Sequence, residues 1–179
     1  MIVITGFPPI IPDTPRLLIL GSMPGEESLR LKQYYAHPRN AFWSIMGDIF
    51  NAGPAIPYSE RIQRLRLNGV AVWDVLRQCE RAGSLDTRIQ AETEVPNDIA
   101  SLLTCHATIQ RVFFNGGKAA AGFRKYIEPV LPGSVRMRVV LTRLPSTSPA
   151  HARMTLERKR DVWRNALTAN GEHGWHDRP

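Results

Sequence analysis

The sequence predicts an α/β protein, a three-layer αβα arrangement around a central, mostly parallel four-stranded sheet. Two observations predict it. Four short apolar runs, at 16–20, 70–73, 109–114 and 136–141, have the length of buried strands. Each is followed by a helical or loop pattern rather than a hairpin turn, as parallel strands joined by crossovers require. Ligands of such sheets sit beyond the carboxyl ends of the strands. The four exits, at 21–25, 74, 115–117 and 144–151, should therefore meet around one site.

Residues 1–15 carry Pro8, Pro9, Pro12 and Pro15. Proline lacks an amide donor, so this arm is expected to be irregular and on the surface. The first strand stops at Gly21-Ser22-Met23-Pro24-Gly25, where two glycines and a proline force a turn and let a ligand approach the backbone. A loop follows, dense in stacking and hydrogen-bonding groups: Tyr34, Tyr35, His37, Arg39 and Asn40. Phe42, Ile45, Met46, Ile49 and Phe50 predict a helix over 41–50, for which Asn40 is a candidate N-cap. A linker leads to a helix over 59–68, capped by Ser59 and ended by Asn68-Gly69.

The second strand exits at Asp74, a polar group at a strand tip that could also cap a following helix. The charged stretch 77–93 is read as a helical turn and a loop. Pro96 starts a helix over 96–105. The third strand ends at Asn115-Gly116-Gly117, a weak anion nest, before a helix over 118–126. The fourth exits into a stiff Pro/Ser loop, 144–151. The last helix, 155–167, is preceded by Arg153 and carries Arg158, Lys159, Arg160 and Arg164 on what is read as a solvated basic side. The polar tail 171–179 is expected to be mobile.

A chain of 179 residues is expected to form one domain, with its core at about 16–167. No apolar run nears the roughly 20 residues that cross a bilayer, so no membrane association is expected. The first residues lack the pattern of a secretory signal. Cys79 and Cys105 have no metal-ligand spacing, which suits reduced thiols in a cytoplasmic protein, and the compact chain suits a prokaryote. Against 16 Asp and Glu stand 23 Lys and Arg, mostly arginine, whose planar fork matches phosphate. A polyanionic partner follows from that balance. No motif argues for an obligate protein partner.

The set GSMPG, YYAHPRNAFW, GVAVWDV, FFNGGKAA and LPSTSPAHA resembles the uracil-DNA glycosylase superfamily over residues 16–167. Its hypoxanthine-DNA glycosylase branch is the most similar, and the mismatch-specific uracil-DNA glycosylases share the AHPxNxFW string. The resemblance implies an enzyme without metal or cofactor. It would act on double-stranded DNA, extrude a deaminated base and cleave its N-glycosidic bond with water. It places Tyr35 as the ring that stacks on the base and Asp74 where an asparagine usually reads its edge. Gly21, Ser22, Met23 and Asn115 fall among the base-binding positions. Ser146, Thr147, Ser148 and His151 fall in the loop that presses the DNA, with His37 and Arg39 as further DNA contacts.

Two positions depart from the common pattern. Met23 stands where a water-orienting acid or amide is usual, and Leu144 where a histidine faces the departing base. Both weigh against ordinary uracil excision. In the hypoxanthine branch the water-positioning role falls to an asparagine further on, here Asn40. Asp74 as an ionised acceptor would match the N1–H of hypoxanthine, which adenine lacks. Excision of uracil or xanthine by the same fold, and a DNA-binding module without catalysis, remain the alternatives.

Overall fold

The computed structural model describes residues 3–169. In chain order the elements are β1 (Val3–Thr5), β2 (Leu17–Gly21), α1 (Glu26–Leu31), α2 (Phe42–Phe50), α3 (Tyr58–Leu67), β3 (Val70–Asp74) and β4 (Leu76–Glu80). They continue with β5 (Val95–Pro96), α4 (Ile99–Cys105), β6 (Arg111–Asn115), α5 (Gly117–Tyr126), α6 (Gly133–Arg138), β7 (Val140–Leu144) and α7 (Leu156–Thr168). The sheet order is β3-β2-β6-β7, and every pairing in it is parallel.

Strand β2 is buried along its whole length and splits its side chains between two cores. Leu18 and Leu20 pack with Leu103, Phe123 and Val135, on the face covered by α4, α5 and α6. Leu17 and Ile19 pack with Phe42, Leu65 and Trp163, on the face covered by α2, α3 and α7. Alternation of successive Cβ atoms across a strand thus produces the three layers. Each fully buried leucine or isoleucine contributes about 1.5–3 kcal/mol of burial free energy. No helix among the described residues is long and apolar enough to cross a membrane.

Several expected elements are corrected. The run 136–141 is not one strand: Gly133–Arg138 is helical and the strand is Val140–Leu144. The apolar pairs in that run fit either periodicity, and strand pairing with β6 decided the second half. The N-terminal arm is not wholly irregular, because Val3–Thr5 pairs antiparallel with β4. The charged stretch 77–93 begins as that strand, so β1, β4 and β5 form a second, small sheet. Pro96 lies in β5, and Asp98 caps α4 by accepting from the Ser101 amide at 3.0 Å. Ser59 lies inside α3, whose cap position is Pro57. Helix α1 stands where the sequence predicts loop. The tail 171–179 lies outside the described residues.

Candidate active site

The four parallel strands end at one edge, and their exits line a slot of about 340 Å³. Gly21, Ser22 and Met23 come from the first exit, Asp74 from the second, Asn115 from the third, and Ser146, Thr147, Ser148 and His151 from the fourth. Tyr35, His37 and Asn40 line it from the loop between α1 and α2. Arg39 is exposed and is not among the lining residues, so it does not join the slot.

Asp74 is 3% exposed at the end of β3. It caps no helix, since β4 begins two residues later. Its Oδ2 is buried without a hydrogen-bond partner. Burial, and the neighbouring Asp86 carboxylate, push its pKa up to about 7, against the pull of Arg81. Gly21 is its register partner on β2. A Cβ at Gly21 would stand 2.2 Å from Asp74 Oδ1 and 3.0 Å from the Tyr35 hydroxyl. Only glycine leaves the carboxylate its place. Gly21→Ala should lower the unfolding free energy by about 1–3 kcal/mol, the usual range for forcing atoms into a packed site. Denaturant titration checks this; an unchanged midpoint would mean that the carboxylate moves aside freely.

Tyr35 has a left-handed backbone, φ 55°, uncommon for a residue with a side chain. Its ring stacks on Phe42 at 3.9 Å and 22°. Its hydroxyl is buried without a partner, and burial raises its pKa, so it stays protonated. Asn40 Oδ1 accepts from the Phe42 amide at 3.0 Å. Ala41 already has helical angles and its carbonyl accepts from Ile45, so Asn40 is the working N-cap. That bond fixes the amide while leaving a lone pair and the NH₂ group uncommitted to the cap.

Three expected contacts are engaged elsewhere. Asn115 Nδ2 donates to Thr147 Oγ1, and the Thr147 amide donates to Asn115 Oδ1, both at 2.8 Å. Thr147 is 1% exposed, and its carbonyl accepts from the Ala41 amide. The pair therefore braces the third exit against the fourth. The Ser22 hydroxyl donates to Asp86 Oδ2 at 2.6 Å, which commits its proton. Met23 is buried in the core and Leu144 likewise.

One wall of the slot comes from a stretch with no motif in the sequence. Ser84, Leu85 and Asp86 line it from the loop after β4. Arg81, its side chain fully buried, donates to the Gly83 and Pro24 carbonyls and faces Asp86 Oδ1 at 3.9 Å. The Glu26 amide donates to Ser84 Oγ at 3.0 Å. The trace of this wall in the sequence is a pair of opposite charges flanking Gly83.

A buried carboxylate, an aromatic ring and a helix-capping amide meet at the carboxyl edge of a parallel sheet, the place where α/β enzymes hold their ligands. The chain belongs to the uracil DNA glycosylase superfamily, whose family model matches residues 8–168. A protein of Methanosarcina barkeri (strain Fusaro / DSM 804) named hypoxanthine DNA glycosylase is 35% identical over 163 residues, 90% of this chain and 96% of that one. A protein of the same name from Methanosarcina acetivorans is 34% identical over 155 residues, 86% of this chain and 92% of its own. The solution NMR structure of a candidate uracil DNA glycosylase from Methanosarcina acetivorans matches with a TM-score of 0.72 at 29% identity, covering 93% of this chain and 99% of that one.

Proposed function

We propose that the protein is a monofunctional DNA glycosylase that excises hypoxanthine from double-stranded DNA. The observation that carries the reading is the sealed Asp74 carboxylate in the slot, with one oxygen unpartnered. The names of the two Methanosarcina relatives support the same substrate.

The glycosidic carbon is out of reach inside a duplex, so the nucleotide is turned out into the slot. Asp74, ionised, accepts from hypoxanthine N1–H, and a backbone amide of the 21–25 turn donates to O6. Adenine would set the lone pair of its N1 against the carboxylate, an unmatched buried contact of about 1–3 kcal/mol. Tyr35, backed by Phe42, is the platform for the base. Bond breaking builds positive charge on the sugar, by analogy with glycoside hydrolysis, so water needs placement more than deprotonation. Asn40 supplies that placement. His37, Ser146, Ser148 and His151 on the rim meet the DNA backbone. The chain works as one domain, without an obligate protein partner, in the cytoplasm with the nucleoid.

The test is an abasic-site assay on duplexes carrying inosine, uracil, xanthine or ethenoadenine. Strand scission after alkali should be fastest with inosine. Faster scission with uracil would move the substrate within the same fold. Binding without scission on every duplex would leave a DNA-binding module.

A further inference from the structure

Lys159 contradicts the reading of α7 as a solvated basic face. It is 5% exposed. Its ammonium donates to the His151 carbonyl at 2.7 Å. Among the described residues no carboxylate lies within 4.0 Å of it, and Asp48, the acid that α7 engages on α2, is paired with Arg160 and Arg164. Buried charges in proteins are normally paired, because desolvating a lone one is costly. Lys159 also stands in the first turn of the 13-residue helix α7, where the helix dipole disfavours a cation. Burial lowers its pKa, as an uncompensated ammonium requires.

What it supports is the loop at the rim of the slot. Trp163 donates to the Pro145 carbonyl at 2.9 Å, Lys159 to His151, and Asn115 and Thr147 hold the middle. Pinning the loop needs only a neutral donor, as Trp163 provides. A charge in that place is explained when an anion arrives on the outer side of the loop.

We propose that Lys159 and the loop it holds form a phosphodiester subsite, in which the buried ammonium is the counter-charge of one DNA backbone phosphate. This rests on the reading of the protein as a DNA glycosylase. The free protein carries an unpaired charge, and DNA binding relieves it.

The test is the salt dependence of binding to a duplex with a tetrahydrofuran abasic analogue, by fluorescence anisotropy. Removing one phosphate contact should make the slope of log K against log [salt] shallower by about 0.9, with about fivefold weaker binding near 0.15 M salt. Lys159→Met should show both, and should unfold at a higher temperature, because a lone buried charge is gone. Lys159→Gln keeps a donor for the His151 carbonyl and should lose the slope equally. Arg66→Met, an exposed charge on α3, is the control. A slope unchanged from the wild type in Lys159→Gln would reduce Lys159 to a pin and overturn the subsite. Inorganic phosphate that stabilises the wild type alone, with DNA slopes unchanged, would mark a free-anion site and overturn it too. Wild-type protein that binds no DNA at all would instead sink the glycosylase reading.

Discussion

Asn40→Ala should slow single-turnover excision of inosine about a hundredfold, the effect of losing ~3 kcal/mol of water placement. The same substitution removes the acceptor for the Phe42 amide, which lies 3.0 Å away. Loss of an N-cap acceptor lowers stability by about 1 kcal/mol. The two roles are separable. Asn40→Ser restores a cap oxygen but holds no amide over the slot. Excision should therefore fall in both variants, while stability falls only in the alanine one. Single-turnover rates and denaturant midpoints, measured on the same preparations, decide it. Rates that recover with the serine cap would confine Asn40 to holding α2 in place.

The strands whose apolar runs were short and bounded by glycine or asparagine were legible because burial on both faces leaves little choice of residue. Leu17–Gly21 and Val70–Asp74 fall where the sequence put them, and so does their meeting edge. The edge elements were less legible. Val95–Pro96 and Leu76–Glu80 pair in a small sheet whose residues are partly exposed, so no apolar pattern marks them. The residues 136–141 satisfied both a strand and a helix in isolation, and only the partner strand β6 chose.

The site divides in the same way. Asp74, Tyr35 and Asn40 could be placed beside the slot because each is a polar or aromatic group next to a strand exit or helix start. Ser22, Asn115 and Thr147 also line it, but their hydrogen-bond partners are not visible in the sequence. Whether an amide reads a base or braces a loop depends on a residue 32 positions away in the chain, as the Asn115–Thr147 pair shows. Asp86 and Lys159 went unread for the opposite reason. Both sit in charged stretches, where composition suggests solvent, and only three-dimensional packing shows Lys159 buried and Asp86, half-exposed, bonded to Ser22.

Asp74→Asn should remove the fall of stability with rising pH that Asp74 imposes. The carboxyl titrates near 7 in the folded protein, raised from 3.8 first by burial and then by Asp86. An unfolded chain releases that proton near the ordinary value, so between about 4 and 7 the folded state holds more protons than the unfolded one. Stability must then fall as pH rises through that window. A shift of about three units corresponds to on the order of 4 kcal/mol, taking ~1.36 kcal/mol per unit. The asparagine variant has no such charge to bury. It should match the wild type near pH 4 and exceed it near pH 8, read as unfolding midpoints across that range. Excision should move the other way. Only the ionised carboxylate accepts from N1–H, so the wild-type rate on inosine should climb as pH passes 7, while the variant's rate stays low and flat. Asparagine can turn its NH₂ toward N1 of an ordinary adenine, so the preference for inosine over adenine should narrow by about tenfold or more. An unchanged preference, or a wild-type profile with no rise near 7, would remove Asp74 from base recognition. A wild-type midpoint that does not fall between pH 4 and 8 would show that the carboxylate is solvated in a way its burial denies. The protein thus keeps, at the floor of its slot, a group that destabilises the fold where it is most useful to recognition.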